Sequence, residues 1–434
     1  MSVCYGDPKY EAYLRVLARE LLPAMGCTEP VALAFAAAKI RALLGCVPER
    51  VAVAVSGNII KNAKSVVVPN TGGMKGIPAA VAAGLIAGDG ELGLEVISRI
   101  SESQKAEIRR YLADGEITVT QAPPGPILDI LITAGAGAAE AKLRISDQHT
   151  HIVYLERDGE ILLDLPAGET GAGSGSESDD GLLNVDDIVA FADGARLEDL
   201  QPLIQRQIDY NTAVALEGLA GSYGAGIGRL LLRDSEGDPR ARAKAMAAAA
   251  SDARMSGCEL PVIILSGSGN QGITASLPIA EYARARGVGT DRLIRAVALS
   301  DLIALHQKRY IGRLSAYCGV VCAGAAAGAG IAYLLGGGRR EVAHALVNAL
   351  AILSGMICDG AKPSCAAKIA MAVEAGIMGF QMYQCGAQFR GGDGIIKKGV
   401  ENTIQGVGRL GRDGMRETDA EILRIMLDEP AVER

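Results

Sequence analysis

The chain of 434 residues contains no Trp, only 4 Phe and only 4 His. With aromatics at 4%, a surface that grips nucleic acid by stacking several bases is not expected. The His, at positions 149, 151, 306 and 344, are scattered and give poor support to a His-rich metal site or a Ser/His/Asp triad. His306, beside Gln307, Lys308 and Arg309, has the most polar company. Excess charge of one sign is lacking too. The 43 Lys and Arg against 50 Asp and Glu leave −7, which offers no global attraction to nucleic acid or anionic membrane. Nine Cys are about 2% of the chain, far below the density of a disulfide scaffold. Their number is odd, and the chain opens on a polar stretch with no leader-like apolar core. The expectation is a reduced, cytoplasmic protein whose thiols are free to be core fillers, nucleophiles or metal ligands.

What is present is a large apolar fraction, 49%, and 55 Gly spread through apolar sequence. A chain of this length suggests about two to four domains. Residues 9–45 read as two helices broken at Gly26-Cys27-Thr28-Glu29-Pro30. Residues 46–185 read as an α+β domain. Its strand candidates lie at 51–55, 65–68, 117–120 and 142–145, with a hairpin over 151–163 turning at Arg157-Asp158-Gly159. Helices are expected at 78–86 and 94–112. The Gly, Ser and acid stretch 167–180 reads as a surface loop or domain edge. From residue 186 the pattern is helical almost to the end, apart from a short apolar run at 260–265. The fold expected is thus α+β: N-terminal helices over 1–45 and an α+β domain over 46–185, packed on a large, mainly helical domain over 186–434. The uncharged run Leu314–Gly338 is long enough to ask about a membrane span. Its Ala and Gly make it too weakly apolar, and a buried helix is expected instead.

Several short segments carry chemistry. Gly267-Ser268-Gly269-Asn270-Gln271-Gly272 fits G-x-G-x-x-G, with Asp291 about 20 residues on. Residues 285–315 read as helix and do not supply the βαβ unit that a dinucleotide site needs. The other reading is a turn whose amides, with Ser266, Ser268, Asn270 and Gln271, grip a small anion such as a carboxylate. Cys358-Asp359-Gly360-Ala361-Lys362-Pro363-Ser364-Cys365 brackets a polar turn with two thiols. Cys318 and Cys322 share one helical face. Cys27 lies at a helix start, where a thiol's pKa falls. Asn58 and Lys61, and then Asn70 and Thr71, follow strand candidates and offer donors to a polar, anionic small molecule.

Taken together, Gly26–Pro30, Ser56-Gly57-Asn58, the Ser266–Gly272 loop and the Cys358–Cys365 segment resemble the L-cysteine desulfidase family, which is related to the iron–sulfur L-serine dehydratases. The resemblance covers nearly the whole chain. It implies a [4Fe–4S] cluster, no pyridoxal phosphate, and conversion of L-cysteine and water to sulfide, ammonia and pyruvate. It further implies Cys318, Cys358 and Cys365 as cluster ligands, with Cys322 competing with Cys318. Cys27 is then the base, or a ligand in place of Cys365. Asn58, Lys61, Asn70, Thr71 and the Ser266–Gln271 loop would hold the substrate. L-Serine is the alternative substrate, and an oxidoreductase binding a dinucleotide at Gly267–Gly272 is the alternative function. The partners expected are a small amino-acid substrate and, as an assembly, a homodimer; no nucleic acid and no membrane.

Overall fold

A computed structural model describes residues 3–166, 176–233 and 237–427. The protein is mixed α and β: a sheet layer in the N-terminal and middle region lies against a helical C-terminal region. The strands are β1 (Pro23–Met25), β2 (Arg50–Val55), β3 (Glu116–Gln121), β4 (Asp129–Ala136), β5 (Ala139–Ser146), β6 (Ile152–Arg157), β7 (Glu160–Asp164) and β8 (Pro261–Ile263). Six of them form one sheet in the order β3-β2-β4-β5-β6-β7. Only β2 and β3 are parallel, with Val51 opposite Ile117; every other pairing is antiparallel. The alternation Val51, Val53, Val55 gives β2 one buried face, as a period of two requires.

The helix Thr28–Leu44 covers this sheet together with the helix Gly76–Ala87. It is buried on almost every side, so it has no polar stripe to show solvent. A Cβ at Gly84 would lie 2.1 Å from the Ala34 carbonyl, so only glycine permits this crossing. The expected 1–45 unit is therefore divided. The helix Pro8–Glu20 packs on helices of the C-terminal region, and Thr28–Leu44 belongs to the sheet layer. Between them β1 pairs with β8 across the two regions.

The helical region is built around Gly319–Leu334, the core of the long uncharged run. No helix among the described residues is long and apolar enough to cross a membrane. Gly319–Leu334 packs against Cys365–Gln384, Thr290–Ile311, Gly269–Arg286 and Arg339–Ile352. Its closest approach is to Cys365–Gln384. A Cβ at Gly328 would sit 2.3 Å from the Gly376 carbonyl, and one at Gly376 would sit 2.1 Å from that of Gly324. Side chains larger than hydrogen would push these two backbones apart. Gly218, Gly272 and Gly379 make further close approaches, where a Cβ would lie 2.0 Å, 2.1 Å and 2.6 Å from the carbonyls of Ala249, Ile263 and Ala345.

Some expectations are corrected. Residues 65–68 form no strand, only a bridge from Val67 to Lys75. The strand β4 was not anticipated, because its Ala-Gly-Ala tail has low β preference. The expected helix over 94–112 is divided into a short 3₁₀ turn, Gly90–Glu95, and the helix Glu102–Asp114, whose start is fixed by a Ser101–Gln104 capping box. Of the expected loop 167–180, residues 167–175 lie outside the described residues, and Ser176–Gly181 is helical.

Two tests follow from this packing. Gly376→Ala should lower stability by about 2 kcal/mol or more, read as a drop in melting temperature. Gly181→Ala, where an added Cβ meets nothing, should leave it unchanged. Asp301 is fully buried and receives its bond from Gln207 Nε2 at 3.0 Å. Burial pushes its carboxyl up to about 8, against the smaller opposing effect of that bond. The unfolded chain releases this proton near about 3.9. The group's contribution is thus complete below that pH and lost as pH rises towards 8. Asp301→Asn should flatten urea-unfolding stability over this window and raise it at pH 8 and above.

Candidate active site

A buried cavity of about 90 Å³ lies where the sheet layer meets the helical region. Four helices point their N-termini at it: Thr28–Leu44, Gly269–Arg286, Gly319–Leu334 and Cys365–Gln384. None of the four has a side-chain cap. Some helices elsewhere are capped, by Asp7, Ser101, Asn184 and Asp238, while others, such as Leu197–Ala220 and Thr290–Ile311, are not. First-turn amides and about half a positive charge per helix therefore face the cavity. Lys61, Arg254, Lys308, Arg313 and Lys368 add cationic side chains to its wall, against one carboxylate, Glu29. The arrangement favours anions.

Three cysteines line this cavity besides Cys27: Cys318, Cys358 and Cys365. Cys318 and Cys358 are 40 residues apart in sequence but adjacent in space. Tyr317 and Ile357 form an antiparallel bridge, with Cys318 N bonded to Met356 O at 3.0 Å and Cys358 N to Ala316 O at 2.7 Å. The Cys318 thiol donates to Cys358 and pulls its pKa down to about 6 against burial; Lys61, the Gly360 amide and Lys368 assist. Cys318 is correspondingly pushed well up, by that bond first and burial second. Burial also raises Cys365. Gly360 (φ 91°) makes the turn between Cys358 and Cys365, and a Cβ there would strike the Lys61 carbonyl at 2.2 Å. Cys322 lies one turn further along its helix and does not line the cavity; its thiol is buried, and burial raises it to about 11.

Cys27 is the N-cap of Thr28–Leu44, but the lowered pKa expected of that position is not found. Burial pushes the thiol well up, and the neighbouring Glu29 carboxylate adds to this. Cys27 Sγ donates to Glu29 Oε2 at 3.0 Å. Glu29 also accepts from Asn62 Nδ2 at 3.0 Å, and His149 Nε2 stands 3.8 Å away. Burial raises the Glu29 carboxyl, but His149 and the Cys27 thiol outweigh it and bring it down to about 2. Glu29 is therefore an ionised hub joining the N-terminal turn and the sheet layer, and the adjoining Thr28 bonds to Gly267 O of the glycine-rich loop at 2.8 Å.

That loop is a tight turn. Leu265 and Ser268 exchange two backbone bonds, and both central residues have positive φ, Ser266 at 50° and Gly267 at 74°, the geometry of a type I′ turn. The strand before it, β8, pairs with β1 alone and antiparallel. No parallel βαβ frame surrounds this loop, as a dinucleotide site would need, which corrects the alternative raised by the G-x-G-x-x-G spacing. Ser266, Ser268, Asn270 and Gln271 all line the cavity. Arg254 Nη1 donates to Asn270 Oδ1 at 3.1 Å, while Gln271 Oε1 is buried without a partner.

Asn58 and Lys61 also line the cavity. Asn70 and Thr71 do not; they bond to the Ile97 and Val68 carbonyls at 2.8 and 2.7 Å and hold their own turn. His306 is bonded to Glu401 Oε2 at 2.7 Å, away from the cavity. Glu29, His149, Arg254, Lys308, Tyr317 and Lys368 were not singled out from the sequence. Only Glu29, inside the Gly26–Pro30 segment, stood in a marked motif. Lys308 is buried, and burial lowers its ammonium pKa. Tyr317 Oη is buried and unpartnered.

Among the described residues no three His, Cys, Asp or Glu side chains close on a point as ligands of a single ion would. Thiolates of an iron–sulfur cluster bind separate irons, so Cys318 and Cys358, whose thiols are hydrogen-bonded to each other here, would have to part to hold one. Three cysteines on one cationic cavity, with unpartnered Gln271 Oε1, His149 Nε2 and Tyr317 Oη at its wall, fit such a group. A family model described as the serine dehydratase alpha chain matches residues 91–424. A UPF0597 protein of Desulfitobacterium hafniense is 57% identical over 98% of this chain and 98% of its own. Others are 46% identical in Lachnoclostridium phytofermentans, over 96% of this chain and 100% of that one, and 44% in Treponema denticola, over 96% and 98%.

Glu29→Gln should cost about 2 kcal/mol, because the amide's own donors would face the Asn62 and Cys27 donors. Chemical denaturation checks this.

Proposed function

The chain belongs to the serine dehydratase alpha-chain family, and from that premise we propose that it is an iron–sulfur-dependent lyase acting without pyridoxal phosphate. The reaction proposed is β-elimination of a small L-amino acid. L-Cysteine is the substrate preferred: with water it yields sulfide, ammonia and pyruvate. L-Serine is the second reading, by the same chemistry with a hydroxyl as leaving group. The observation that carries the proposal is the gathering of Cys318, Cys358 and Cys365 on one cavity fed by four helix N-termini.

Those three thiolates are the proposed ligands of a [4Fe–4S] cluster, and Lys61, the Gly360 amide and Lys368 beside Cys358 favour its thiolate form. Three ligands leave one iron open, and when bound the cluster supplies a Lewis acid that makes the β-substituent a better leaving group. The remaining work falls to the chain. Lys61, Arg254 and Asn270, with the amides that open Gly269–Arg286, supply donors for the substrate carboxylate. The buried wall excludes bulk water and strengthens these contacts. Cys27 is the proposed base for the Cα proton, its sulfur oriented by Glu29 at 3.0 Å; the thiol starts protonated, so its own proton would first pass to the Glu29 carboxylate it donates to. Elimination gives aminoacrylate, which tautomerises to an imine and hydrolyses to pyruvate and ammonia.

Anaerobically purified protein should be brown, carry about four irons per chain and release sulfide and pyruvate in equal amounts from L-cysteine. A much faster reaction with L-serine would exchange the two readings, and colourless protein that resists reconstitution would remove both. Cys358→Ala should lose the iron. Cys27→Ala should keep most of the iron and lose turnover at least about a hundredfold, as expected of a general base; lost iron would make Cys27 a ligand instead.

A further inference from the structure

A second cavity, of about 640 Å³, lies outside the first. Both have Asn58, Lys61, Leu314 and Ser315 in their walls, so the two spaces meet at these residues. Asp419, from the helix Arg416–Leu427, stands on the outer side of this junction. Its carboxylate accepts from Asn58 Nδ2 at 2.9 Å and from Lys61 Nζ. The Lys61 side chain is 2% exposed, that of Asp419 23%. The carboxylate fixes the Asn58 amide, since the reversed amide would turn oxygen on oxygen. Asn58 Oδ1 is then left buried and without a partner.

The junction thus holds a buried ammonium, a carboxylate beside it, and a free amide oxygen next to that carboxylate. These are the complements of the two charges of an α-amino acid. The helix carrying Asp419 has no buried residue. It is held by Leu423 against Gly57, where a Cβ would come within 2.6 Å, and by Lys64 Nζ to Met426 O at 2.7 Å. Leu423 and Leu427 are the residues of this helix that pack on the core, so a ligand entering between Lys61 and Asp419 displaces no fully buried side chain of the helix.

We propose that this junction is the receptor for the charged end of the amino acid: Lys61 takes the α-carboxylate, and Asp419 with Asn58 Oδ1 takes the α-ammonium. The inference rests on the amino-acid lyase reading and adds to it a specificity residue, Asp419, that no sequence motif marked. A zwitterion exchanges one internal ion pair for two and leaves no charge unpaired. A ligand with only one of the two charges breaks the Lys61–Asp419 pair and leaves either the buried Lys61 or the half-buried Asp419 without its partner, which is disfavoured, most strongly for Lys61.

The test uses L-alanine, which has no leaving group, with propionate and ethylamine as its two halves. Each is measured by calorimetry on the wild type and variants, and as an inhibitor of turnover. Wild type should bind L-alanine at least about tenfold more tightly than either half. Asp419→Asn should lose that margin over propionate and raise KM for the substrate at least about tenfold, with kcat much less changed. Asp419→Glu should recover part of both. Lys61→Gln should lose the margin over ethylamine. Unchanged L-alanine affinity and KM in Asp419→Asn would overturn the inference and leave the lyase reading standing. Tighter L-alanine binding in that variant would also overturn it, by making Asp419 a competitor of the substrate. Wild type that neither binds L-alanine nor turns over either amino acid would remove the lyase reading, and this inference with it.

Discussion

Everything at this site depends on the convergence of four uncapped helix N-termini on one buried volume. A helix start leaves amide hydrogens without intrahelical partners, and burying four such starts together is unfavourable unless something anionic satisfies them. The sequence has Cys27, Ser268, Cys318 and Ser364 at these N-caps, and none of their side chains accepts from its helix's first-turn amides. Those amides are left without a side-chain cap. The convergence needs close helix contacts, and these come from glycine. Gly324 and Gly328 meet Gly376 at distances that no Cβ tolerates, which brings the starts of the Cys318 and Cys365 helices to the same wall.

The cationic surplus of that wall is balanced at two points of different character. Inside, Glu29 is shared by Cys27 and Asn62, so it is committed to holding the N-terminal turn against the sheet layer. At the outer junction, Asp419 sits on a lightly held helix and is paired with a lysine that has almost no water contact. A buried carboxylate with several fixed donors is a structural element. A carboxylate on a loosely packed helix, beside an unpartnered amide oxygen, is suited to exchange with a ligand. The difference between them is one of packing, not of residue type.

Much of the site was legible as short motifs: Cys27, Asn58, Lys61, Cys318, Cys358, Cys365 and the 266–271 loop all line one cavity. Asn70 and Thr71 had the same outward signs and do not line it. A Gly/Asn turn after an extended segment looks the same whether its side chains reach a cavity or bond to backbone carbonyls, as Asn70 does to Ile97 and Thr71 to Val68. Arg254, Lys308 and Asp419 gave no sign at all, because each lies in an ordinary helical pattern. Cys27 shows the reverse limit. Its helix-start position was readable, but the pKa consequence was not, since burial and Glu29 act in the opposite direction to the helix dipole.

By itself the sequence determined the α+β class, most strands of the sheet, the buried nature of the uncharged run and the segments able to carry chemistry. These follow from period, turn residues and composition, which are local properties. Only the tertiary structure decided that Cys318 and Cys358 become neighbours, that Cys322 turns into the core, and that β8 pairs antiparallel with β1 and so excludes a dinucleotide frame. Only it brought Asp419 to Lys61. Each of these is a contact across tens to hundreds of residues, set by which helices can approach closely and which charges must be compensated on burial. No local pattern encodes such a contact.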